Sequence, residues 1–119
     1  MSKKYMMIIT HSHDEPYRTC TAMGLASCLI SEGADLALFF MCEGAKLMQK
    51  GVAETIEGEN IAPVRDSLPL ILDGNPKLYV CKVDLKNFNI PHNELLDGVE
   101  IVSLITISTH MMERETLMC

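Results

Sequence analysis

Apolar residues in this chain fall into short blocks separated by turn-forming residues. Residues 5–10 (YMMIIT) make one brief apolar run, the length of a single buried strand. Asp14, with Glu15 and Pro16 behind it, suits an N-cap followed by a first helical turn. Ala22, Leu25, Ala26 and Leu29 then recur at i, i+3, i+4 and i+7, a helix stripe that Met23, Cys28 and Ile30 widen and Gly33 stops. The run ADLALFFMC (34–42) is continuously apolar, as in a strand buried on both faces.

Glu43-Gly44 turns the chain into a short helix at 45–50, ended by Gly51, and 52–62 reads as a loop. Val64, Leu68, Ile71 and Leu72 predict a helix bent near Pro69, and Asp73-Gly74-Asn75-Pro76 is a turn. KLYVC (77–81) is the third strand, followed by a helix at 83–88 with Leu85 and Phe88 inward and Asn89 as a left-handed cap. Pro91 and Asn93 open another helical turn, and VEIVS (99–103) is a fourth strand. A final helix is predicted at 107–115, with 116–119 as a short edge strand.

Strands alternating with helices over short connections imply right-handed crossovers and a parallel sheet covered on both faces. Ligands in such sheets sit beyond the carboxyl ends of the strands. Those ends are Thr10-His11, Met41-Cys42, Val80-Cys81 and Val102-Ser103, so two cysteines and a histidine share one predicted rim.

Length and charge narrow the picture further. A chain of 119 residues is the size of one ordinary domain, read here as 1–119. Its net charge of −6, with no basic cluster beyond Lys3-Lys4, argues against nucleic-acid and anionic-membrane binding. No apolar run approaches a membrane span, and the apolar stretch after Lys3-Lys4 is too short for a signal core. Cys20, Cys28, Cys42, Cys81 and Cys119 are odd in number and irregularly spaced, which suits reduced thiols in the cytoplasm. There is no CxxC, GxSxG, GxGxxG or P-loop, so no nucleotide cofactor is implied.

Between Lys77 and Val102 the sequence reads LYVCKVDLKNFNI and then ELLDGVEIV. It resembles the DsrE/DsrF-like family of small sulfur-metabolism proteins, in which a cysteine closes a strand before a short helix and an acidic Leu-Leu turn. The upstream FFMCEGAKLMQKGV is similar to that family's second strand, turn and helix, and Asp14 to Ala26 to its first strand–helix junction. The resemblance implies a flavodoxin-like, three-layer α/β/α sandwich with four to five parallel strands, assembled as a homotrimer or homohexamer. It also implies a sulfur relay in which Cys81 carries sulfur as a persulfide, exchanged with a donor or acceptor protein. Asn89 stands where the family often has glycine.

The residues themselves weigh as follows. Sulfur transfer needs a thiolate, and a cysteine just before a helix feels its unpaired N–H groups, which lowers the thiol pKa. Lys82 would act in the same direction as a binding residue beside Cys81. The competing reading of Cys81 is a small apolar residue closing a strand. Cys42 could relay sulfur or simply pack beside Gly44, while Cys20 and Cys28 read as buried helix thiols. His11 and His13 are candidate binding residues on the same rim. With Cys42 and Cys81 they offer zinc or copper a mixed nitrogen and sulfur set, although such spacing arises cheaply and no metal is expected. The alternative function is therefore a non-catalytic oligomeric module holding a small ligand or soft metal at the rim.

Overall fold

The computed structural model describes residues 2–119. Five strands, β1 (Lys4–Ile9), β2 (Asp35–Phe40), β3 (Lys77–Cys81), β4 (Val99–Val102) and β5 (Glu115–Met118), form one sheet in the order β4-β3-β2-β1-β5. Every pairing is parallel, with Ile9 opposite Phe40, Phe40 opposite Val80, Cys81 opposite Val102 and Ile8 opposite Met118. The helices are α1 (Pro16–Ser31), α2 (Val64–Asp73), α3 (Lys82–Asn87) and α4 (Leu104–Met111). The predicted α/β sandwich with a parallel sheet is the observed architecture. Among the described residues, no helix is long and apolar enough to cross a membrane.

Chain direction explains the layers. From β1 to β4 each strand is added on the same side of its predecessor, so right-handed crossovers put α1, α2 and α3 on one face. The chain then returns across the sheet to place β5 beside β1, which carries α4 to the other face. Side-chain alternation follows. Met7, Ile9, Leu38, Phe40, Leu78 and Val80 pack with Met23, Leu68 and Leu85 of the first three helices. Met6, Ile8, Phe39, Tyr79 and Cys81 point to the opposite face, where α4 supplies the buried Ile107.

Local chemistry sets the ends. Gly33, at φ +85°, closes α1: its N–H donates to Ile30 and that of Ala34 donates to Leu29 at 3.0 Å. Asn89, at φ +54°, closes α3 in the same way, with the Ile90 N–H donating to Leu85 at 2.9 Å. The sequence expectation for both residues matches the structure.

Other expectations differ. Glu15, not Asp14, occupies the α1 N-cap, because the Asp14 carboxylate is engaged by His11 and the Ser12 N–H. The segment expected as a helix at 45–50 is a 3-10 turn, Cys42–Met48, entered through Cys42 at φ +54°. The last helix begins earlier than 107 because the Ser103 hydroxyl accepts the Thr106 N–H and caps it. His110 consequently lies in the last turn of α4 rather than at its start, stacked on Tyr79 with ring centroids 5.1 Å apart.

Candidate functional site

The candidate rim is built by the segments leaving β1, β2 and β3. Cys81 is the last residue of β3 and the N-cap of α3. Alternation along the strand turns its side chain, like that of Tyr79, toward the α4 face. There it is 4% exposed, in a cluster that the half-buried Met41 and Met111 also join.

Its electrostatics differ from the sequence expectation. Burial pushes the Cys81 thiol above its ordinary pKa; the Asp84 and Val83 backbone N–H groups pull it partway back, and the Asp84 carboxylate adds to the rise. The helix-start effect exists, but desolvation outweighs it. Lys82 lines an outer cleft with Lys86 and His92.

Cys42 is exposed, and its backbone N–H donates to Oδ2 of Asp84 at 2.6 Å. Partial desolvation, then the charges of Asp84 and Glu43, raise its thiol pKa. Asp84 therefore acts on both rim cysteines. It stands three residues after Cys81, in the first turn of α3, and its reach to Cys42, 42 residues away, left no local signal in the sequence.

The histidines have other partners. Nδ1 of His11 lies 2.8 Å from Oδ2 of Asp14, and its Nε2 lies 3.5 Å from Nη1 of Arg18. Burial pulls the Asp14 carboxyl upward, but the hydrogen bonds from His11 and the Ser12 N–H, with the His11 charge, bring it below its usual value. Nε2 of His13 meets the Thr55 hydroxyl at 2.8 Å. β2 separates β1 from β3, so the two histidines leave a strand roughly 9–10 Å from the one that ends in Cys81. Among the described residues, no three His, Cys, Asp or Glu side chains gather as a metal site would require.

The other thiols divide. Cys20 is buried against the Ile56 carbonyl, whereas Cys28 is exposed on α1, contrary to its reading as a buried helix thiol. The N–H of Cys119 donates to Ile8, and its carbonyl accepts both the N–H and the hydroxyl of Thr10, which fixes the end of β5 beside β1.

Comparisons with known proteins agree with the fold. The model of the DsrE/DsrF-like family matches residues 3–119. The crystal structure of the YchN protein from E. coli superposes with a TM-score of 0.81 at 21% identity, covering 100% of both chains. The protein of unknown function MTH1491 from Methanobacterium thermoautotrophicum superposes at 0.76 with 10% identity, over 99% of this chain and 100% of that one. BT1422 from Bacteroides thetaiotaomicron, also of unknown function, superposes at 0.68 with 12% identity, over 98% and 95%. These likenesses establish the shared fold. No curated protein sequence matches the chain significantly.

Proposed function

The chain belongs to the DsrE/DsrF-like family, and from that premise we propose that it serves a sulfur relay, with Cys81 as the thiol that carries sulfur as a persulfide. The observation that supports this reading is the placement of Cys81, at the point where β3 becomes α3, with the Val83 and Asp84 N–H groups acting on its sulfur. Donor groups of this kind stabilise a developing thiolate, the species that attacks sulfur.

The chemistry is an exchange. The Cys81 thiolate attacks the outer sulfur of a donor persulfide, R–S–SH. The donor's S–S bond breaks, its electron pair leaves as R–S⁻, and Cys81 holds S–SH. An acceptor thiolate attacking that outer sulfur reverses the step and regenerates Cys81. At rest the buried thiol stays protonated, so transfer requires the rim to open. Met41 and Met111 are flexible side chains suited to such a movement. Cys42, at the end of the neighbouring strand, and Lys82, next in sequence to Cys81, serve as binding residues for the incoming group, and His11 and His13 extend that role along the rim.

The protein works as one domain, residues 1–119, assembled as a homo-oligomer, trimer or hexamer, and meeting a donor or acceptor protein. Exposed Leu104 and Ile105 on α4, and Met112 just beyond it, support assembly. Five free thiols without a disulfide suit a cytoplasmic setting.

The test is mass spectrometry after incubation with polysulfide. The expected result is an adduct of about 32 Da per sulfur on Cys81, absent in Cys81→Ser. An unmodified Cys81 in the wild-type protein would end the proposal.

A further inference from the structure

A second candidate site lies at the other end of the rim, where His11 borders a cleft that Cys81 does not line. Chain direction creates it: β1 feeds a helix that leads away toward β2, while β5 returns to its opposite side. At such a switch point the loops diverge and leave a crevice in which ligands of open α/β sheets bind. The crevice here is a cleft of about 610 Å³ between the ends of β1 and β5 and the first turns of α1. That size falls within the usual range for small-molecule sites.

Its charge is unusual for this chain. Of the three arginines, Arg65 pairs with Glu57 and Arg114 with Asp35. Arg18, which lines the cleft, has no carboxylate partner among the described residues. Its Nη1 lies 3.5 Å from Nε2 of His11. In the tautomer with its proton on Nδ1, toward Asp14, the His11 ring offers Nε2 as acceptor to one of the five N–H donors of the guanidinium. The other donors remain for a ligand, in a protein whose net charge is −6.

Beside the hydroxyls of Thr10, Tyr17 and Thr21, the remaining wall is apolar and open. Leu25 and Met118 line the cleft, and both are exposed. A wholly apolar occupant would strip water from Arg18 without replacing it, a costly exchange. A bare inorganic anion would leave the apolar wall wet. We propose that the cleft binds a small amphipathic anion, with its carboxylate or sulfonate on Arg18 and its alkyl part against Leu25 and Met118.

The probes are hexanoate, hexanol, which keeps the chain without the charge, and acetate, which keeps the charge without the chain. NMR titration of the wild-type protein, following the His11 ring protons, should show saturable hexanoate binding. Hexanol and acetate should each bind at least about tenfold more weakly. Arg18 is exposed, so Arg18→Met leaves the fold intact and should weaken hexanoate at least about tenfold, while Lys50→Met leaves it unchanged. Failure of hexanoate to saturate, or equal affinity in Arg18→Met, would overturn the proposal. So would His11 signals that move with protein concentration and ignore hexanoate, because the cleft would then be a contact between copies.

Discussion

Oδ2 of Asp84 accepts the backbone N–H of Cys42 at 2.6 Å, so a carboxylate from the first turn of α3 holds the residue that follows β2. The same carboxylate raises the pKa of both rim thiols. Asp84→Asn keeps an acceptor and removes the charge, so both thiol pKa values should fall. At a fixed pH below those values the thiolate fraction then rises, and Cys42, being exposed, should alkylate severalfold faster. Timed iodoacetamide labelling at pH 8, read by peptide mass, checks this. An unchanged Cys42 rate would show that the carboxylate charge does not govern the thiol. Asp84→Ala additionally loses the hydrogen bond, at a cost of about 1 kcal/mol in urea unfolding.

Gly44 lets the Cys42–Met48 turn lie against the end of β1. A Cβ there would stand 2.0 Å from the Ile9 carbonyl oxygen and 2.7 Å from its carbon, both backbone atoms that cannot swing aside. Gly44→Ala should therefore destabilise the protein by about 1–3 kcal/mol. Gly24 is the internal control. It lies within α1 with nothing inside 4 Å of its Cβ position, so Gly24→Ala should stabilise by about 0.5–1 kcal/mol. Urea midpoints of the two variants should move in opposite directions.

The fold was legible because the three central strands are largely apolar runs and α1 and α3 end on the stop signals Gly33 and Asn89. ADLALFFMC reads as buried on both faces because it is: Ala37 and Phe39 face α4, while Leu38 and Phe40 face the other helices. The site was only partly legible. Residues that end strands can be placed on a rim from sequence, but which face a side chain takes depends on register. Cys81 shares the parity of Tyr79, so it turns under α4 and is desolvated, which reverses the expected direction of its pKa. The partners of His11, His13 and Arg114 come from 3 to 109 residues away, and most such pairings leave no trace in local pattern.

Arg114, at the turn between α4 and β5, ties together the starts of β1 and β2. Its Nη1 donates to the carbonyls of Tyr5 at 3.1 Å and Asp35 at 2.8 Å, and its Nη2 to the Asp35 carboxylate at 3.0 Å. The side chain is 6% exposed, so these acceptors gain little help from water if it is removed. Arg114→Met should cost about 2 kcal/mol, discounted for the half-open Asp35. Arg114→Lys should recover only part, since an ammonium cannot reproduce the planar fork. Urea unfolding of the two variants checks both the size and the order; a lysine variant as stable as wild type would refute the fork argument.

One face of the sheet is covered thinly, and that thinness predicts assembly. α4 buries Ile107 against Tyr79 and Phe39, yet holds Ile105 at 81% exposure, with Met112 just beyond it at 87%. Apolar side chains of this size on so short a helix gain nothing from solvent, whereas a second copy covering them would gain roughly 25 cal/mol for each Å² removed from water. Light scattering of the wild-type protein should give three or six times the 13.3 kDa chain mass. The double variant Ile105→Asp, Met112→Asp should shift the mass toward 13.3 kDa, because burying two new carboxylates at an interface costs more than the apolar contact returns. Both positions are solvent-facing within one chain, so the variant's far-ultraviolet circular dichroism should be unchanged. A wild-type protein that runs at 13.3 kDa would remove the case for assembly through α4.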